Sequence, residues 1–186
     1  MQRIGYRNSW KLLGIHRKGE KQEDVQRECD SCGCTYQWRG FALYRRVSHD
    51  KRTILYFDTE QSPHHCQRIM RRALQLAGLP LDSHPENLIF AQLRAITPDL
   101  RLELIDNAIA NTPNVGLVII DGIRDLMFDI NNAIESSRLI GKLMEWTDKY
   151  QIHIHTVLHL NKSDDNVRGH VGTELNNKAE TVLQVC

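Results

Sequence analysis

Apolar residues change their period along this chain, and the change divides it near residue 51. Residues 53–57 (Thr-Ile-Leu-Tyr-Phe) form a short apolar run ending in Asp58-Thr59-Glu60, which predicts a strand. Ser62-Pro63 then supplies a helix start with proline at the first position. Cys66, Ile69, Met70, Ala73, Leu76 and Ala77 recur at helical spacing until Gly78. Residues 87–93 predict a second strand. Thr97-Pro98 repeats the helix start, followed by a stripe of Leu104, Ile105, Ala108 and Ile109. Residues 115–120 are apolar throughout and run into Asp121-Gly122, the pattern of a central strand buried on both faces. A helix is predicted over residues 133–150, with Ile140, Leu143, Trp146 and Thr147 on one face. A strand over 152–158 leads into His159-Leu160-Asn161-Lys162. A polar loop over 163–172 precedes a last short strand at 181–185. Strands alternating with helices predict βαβ units and an α/β fold with a mostly parallel sheet and helices on both faces.

Residues 1–50 lack this periodicity. They are basic and irregular, and they hold Cys29, Cys32 and Cys34. Cys29-Asp30-Ser31-Cys32 has the spacing of half a zinc site, with Cys34, His16 and His49 as further candidate ligands, but no second such pair completes it. The chain therefore divides into an irregular segment, 1–50, and a patterned core, 51–186. The length of 186 residues suits one domain with a sizeable core, and a net charge of +1 provides no global field for nucleic acid. No apolar run approaches a membrane span and no secretory signal opens the sequence, so the expectation is a cytoplasmic protein without a membrane partner. An odd count of five cysteines argues against a disulfide scaffold.

Chemistry concentrates at three predicted strand ends: Asp58 and Glu60, Asp121, and His159 with Asn161. Parallel strands present their C-terminal ends on one side, where α/β sheets bind ligands, so these groups converge. One carboxylate there can position water, a second can hold Mg²⁺, and a polar group on a neighbouring strand can sense a phosphate.

With those residues in view, the chain from about residue 51 to 186 resembles the RecA-like P-loop ATPases. It is most similar to the RepA-like (AAA-type) helicase and mobilisation ATPases of plasmids and mobile elements. The resemblance implies that Glu60 activates water and that Asp121, ending a Walker B strand, holds magnesium. It further implies that Asp58 and Asn161 border the nucleotide, that His159 belongs to the switch strand, and that Lys162 and Arg168 are basic fingers reaching a neighbour's nucleotide. ATP and Mg²⁺ are the implied cofactors. DNA, single-stranded by preference, and a homo-oligomeric ring are the implied partners. Two other readings stay open: a catalytically inactive module kept for oligomer contacts, and a zinc-containing nucleic-acid-binding protein.

The family requires a phosphate-binding loop before the Glu60 strand, and no GxxxxGK[ST] occurs in this sequence. Read one nucleotide later, the degenerate codons for residues 17–26 permit G-K-A-K-S-K-K-T-F-N, a variant phosphate-binding loop. The same shift over residues 27–40 permits an apolar helix with a glycine stop. On this reading residues 1 to about 45 are out of frame and carry little regular structure, and ATP turnover is impaired. The fold is expected to be incomplete at both ends, because relatives continue with further strands beyond residue 185.

Overall fold

The computed structural model describes residues 10–15, 50–159 and 169–185. Its elements are β1 (Trp10–Ile15), β2 (Thr53–Asp58), α1 (Pro63–Leu76), β3 (Leu88–Gln92), α2 (Pro98–Asn111) and β4 (Val115–Asp121). A 3₁₀ turn, Ile123–Leu126, then leads to α3 (Ala133–Tyr150), β5 (His153–His159), α4 (Gly169–Lys178) and β6 (Thr181–Val185). The six strands form one sheet in the order β3-β2-β4-β5-β1-β6. Four of them, β3, β2, β4 and β5, are mutually parallel. β1 runs antiparallel to both β5 and β6, so β6 points the same way as β5. This is an α/β fold of the RecA-like kind, with a parallel sheet between helices.

The register explains the packing. Leu55 lies opposite Val118 and Phe57 opposite Ile120, while Val118 and Ile120 face Ile154 and Thr156 on the other side. All six side chains are buried, and because a strand alternates faces they line a single face of the sheet. That face meets Ile105 and Ile109 of α2, Leu139, Ile140, Leu143 and Trp146 of α3, and Val171 and Leu175 of α4 in one core. Tyr56, Leu117, Ile119 and Asp121 point to the opposite face and are only partly buried. β4 was expected to be sealed on both sides, and it is sealed on one. α1 covers only part of the second face. Its buried residues are Cys66 and Leu74, whereas Ala73, Leu76 and Ala77 of the expected stripe are exposed.

Other expectations hold or shift locally. Ser62 and Thr97 do precede helices that begin with proline, but neither hydroxyl caps its helix. The side chain of Asn132 does cap α3, accepting from the Ile134 and Glu135 amides. The face of α3 is as expected, with Ile140, Leu143, Trp146 and Thr147 all buried. The polar loop expected over 163–172 is corrected from residue 169 onward, where α4 begins. Val171 and Leu175, four residues apart, bury one stripe of it. Within the segment expected to carry little regular structure, Trp10–Ile15 forms a strand whose six residues all pair with β5; residues 1–9 and 16–49 lie outside the described residues.

Candidate functional site

Glu60, Asp121 and His159 lie at one edge of the sheet because β2, β4 and β5 are parallel and neighbouring. Asp58 is in register with Asp121, and Asp121 with Val157. Glu60 and His159 each follow two residues beyond, and Glu60 Oε2 lies 3.0 Å from His159 Nε2. The Glu60 carboxylate and the His159 imidazole are thus in direct contact.

Asp121 is held from β2. The Tyr56 hydroxyl donates to Asp121 Oδ2 at 2.8 Å, and the Tyr56 ring stacks on Phe90 of β3, 4.6 Å between centroids. Burial and the adjacent Asp121 charge drive the Tyr56 phenol well above its ordinary value, so it stays a hydrogen-bond donor. Asp58 is wholly buried and serves the backbone. Its Oδ1 accepts from the Glu60 amide at 3.1 Å and the Gln61 amide at 2.7 Å, which shapes the turn carrying Glu60. Its Oδ2 is buried without a hydrogen-bond partner among the described residues, and burial, then the Asp58 charge, push the nearby Cys66 thiol up to about 11.

Thr59 locks this turn against the one after β4. The Thr59 hydroxyl lies 2.9 Å from the carbonyls of Asp121 and Gly122 and 3.2 Å from Asp125 Oδ2. Gly122 has φ 95°, and a Cβ there would fall 2.2 Å from Thr59 Oγ1 and 2.7 Å from Glu60 Cγ. Glycine alone lets the two turns close.

Below Glu60 opens a cleft of about 490 Å³ lined by Thr59, Glu60, Arg94, Arg101, Arg124, Asp125 and His159. Burial, then the Glu60 charge, raise the Asp125 carboxyl, while Arg124 and Arg101 oppose the rise. Tyr56, Thr59, Asp125 and the three arginines are absent from the sequence expectations. Two of them left a signal: Tyr56 shares the face of Asp58, and Arg101 stands four residues before Ile105, on the buried stripe of α2. Asn161, Lys162 and Arg168, and the zinc candidates His16, Cys29, Cys32, Cys34 and His49, lie outside the described residues.

The donor set suits magnesium. Mg²⁺ takes one or two carboxylates, keeps several waters and binds phosphates, so it needs no protein cage. Asp121 supplies a hard oxygen that Tyr56 orients, and among the described residues no group of three or more His, Cys, Asp or Glu side chains is placed to hold a metal. Among the described residues no helix is long and apolar enough to cross a membrane.

The Asp121 carboxyl sits above its ordinary range. Burial is the largest cause; the Tyr56 bond opposes it, and the Asp58 and Glu60 charges add to it. An acid raised in the folded state contributes stability below its unfolded value, near pH 4, that is lost as pH rises through the folded value. Asp121→Asn is therefore expected to be more stable than the parent at pH 7. The gap should close as pH falls below about 4, as read from urea midpoints across that range. Equal midpoints for the two proteins at pH 7 would contradict the assignment.

Set against protein-family models, residues 31–165 match the model described as AAA domain. The match begins inside the segment without periodic pattern and after residues 17–26, and it covers the Glu60, Asp121 and His159 strands. No curated protein matches the chain.

Proposed function

Because the chain belongs to the AAA domain family, a P-loop ATPase family, we propose that it is a nucleotide-binding domain descended from a DNA-dependent motor. The observation that carries this reading is the meeting of Glu60, Asp121 and His159 at one parallel-sheet edge, with Glu60 and His159 3.0 Å apart. In this reading Glu60 accepts a proton from the water that attacks the terminal phosphate. Tyr56 holds Asp121 in place for Mg²⁺, which when bound neutralises charge on the phosphate oxygens. His159 bonds to Glu60, so a change at the end of β5 is felt by the water-activating carboxylate. Asp58 acts through the turn rather than by touching nucleotide. A helicase or mobilisation role on single-stranded DNA, in a ring where Lys162 and Arg168 reach a neighbour, extends this reading by resemblance.

The sequence has no GxxxxGK[ST], so backbone amides and a lysine around the phosphates are missing from its motifs. The chain is expected to bind MgATP weakly and turn it over little. The same chain with codons 17–40 read in the shifted frame is expected to bind MgATP tightly and to lose that binding with Asp121→Ala. Calorimetry and phosphate release test both proteins. Robust turnover by the present chain, abolished by Asp121→Ala, would overturn the out-of-frame reading of the N-terminus. A shifted-frame protein indifferent to nucleotide would sink the ATPase reading itself.

A further inference from the structure

The cleft beneath Glu60 has a charge problem. Arg101 is 9% exposed, and its guanidinium donates only to neutral carbonyls: Nε to Leu93 at 3.0 Å, Nη2 to Arg94 at 2.9 Å and Nη1 to Asp125 at 2.5 Å. It makes no ion pair among the described residues. A buried guanidinium keeps its charge, and the nearby Asp125 carboxylate on which it acts is shared with Arg124, so the two cations outnumber that anion and draw a further counter-ion.

The other groups on the cleft leave that charge uncancelled. Arg94 follows β3, is exposed, and likewise makes no ion pair among the described residues. Arg124 stands in the 3₁₀ turn with its Nε 3.7 Å from Asp125 Oδ1 and without a hydrogen bond among the described residues. Of the two carboxylates, Glu60 is engaged with His159 and Asp125 with Thr59 and Arg124. Three guanidiniums thus face two carboxylates before the imidazole is counted. Arginine's planar donor fork matches phosphoryl oxygens. Asp121 and Tyr56 do not line this cleft, so it is separate from the magnesium edge and shares only Glu60 and His159 with the nucleotide chemistry.

We propose that the Arg94–Arg101–Arg124 cleft is a second site, one that binds a phosphoryl oxyanion beside Glu60 without contact to Asp121. Arg101 supplies fixed buried charge, Arg94 supplies a guanidinium without an ion pair among the described residues, and Arg124 adds the donors it does not turn to Asp125. The oxyanion has two sources: free phosphate released by hydrolysis, or a phosphodiester of a bound strand. Glu60 borders both sites, so an anion in the cleft acts on the water-activating carboxylate without touching the metal.

The probe is inorganic phosphate, titrated into the full chain by calorimetry against chloride at matched ionic strength. Saturable binding is expected, weakened roughly tenfold or more in the Arg94→Gln/Arg124→Gln double variant, since each charge-assisted bond is a strong one. Asp121→Asn should retain it, which separates this site from the ATPase reading: phosphate binding can survive while that reading fails, and the reverse. Urea midpoints for the double variant, matched to the parent, keep a folding defect from imitating the result. An oligothymidylate single strand that competes with phosphate and weakens in the same variants identifies the diester as the source, and one that fails to compete identifies free phosphate. Absence of saturable phosphate binding, or equal affinity in the double variant, would overturn the proposal.

Discussion

Gly122→Ala is expected to destabilise the protein by about 1–3 kcal/mol and to move Glu60 out of line with Asp121. Two effects combine. The φ of 95° is strained for any side chain, and the new Cβ would lie 2.2 Å from Thr59 Oγ1. The Thr59 hydroxyl holds the β2 and β4 turns together, so relief of the clash must break that bond or push Glu60 away from His159. Gly141 is a built-in control. It sits inside α3, and a Cβ there meets nothing within 4 Å. Gly141→Ala should therefore be neutral or stabilise by up to about 1 kcal/mol, from helix propensity alone. Urea midpoints for the two variants should move in opposite directions. If Gly122→Ala behaves like Gly141→Ala, the contact between the two turns is not holding the site.

Trp146→Ala should have the larger effect on stability, a loss of about 3–5 kcal/mol. Trp146 is fully buried within the core that unites the sealed sheet face with α2, α3 and α4. Its indole N–H also donates to Asp106 Oδ1 at 2.6 Å, tying α3 to α2. Burial acts to raise the Asp106 carboxyl, but the Trp146 and Lys142 bonds outweigh it and hold that group below its ordinary range. Trp146→Phe keeps most of the apolar volume and removes the donor, so a smaller loss of about 1–2 kcal/mol should isolate the bond. Equal losses from the two substitutions would mean that packing contributes little at this position.

Much of this architecture was legible because local signals agreed. The α3 face was readable from Ile140, Leu143, Trp146 and Thr147, all of which are buried. The convergence of Glu60, Asp121 and His159 followed from parallel strands alone. What escaped the sequence depends on contacts between distant elements. The apolar run of β4 suggests cover on both faces, yet Leu117 and Ile119 stay half-open because cover depends on which helices pack there. α4 was lost among polar residues, its stripe consisting of little more than Val171 and Leu175. The arginine cleft was hidden for a similar reason. Arg94, Arg101 and Arg124 come from β3's end, α2 and the turn after β4, and no linear motif brings them together.

The antiparallel seat of β1 has a consequence for how the sheet assembles. Leu12 pairs with Val157 on one side and Leu183 on the other, so β1, the first described strand, completes its pairing with β5 and β6, the last two described. Strands β2 to β5 can form from neighbouring segments, whereas β1 must wait for a loop spanning most of the chain to close. Contacts of such sequence separation form late and slowly. During synthesis the β5 edge stays unpaired until β1 docks, and β1 gains its second partner only after residue 185 has emerged. The interval leaves an open strand edge beside the very strand that ends in His159, which is where a nascent chain would first pair with the wrong partner.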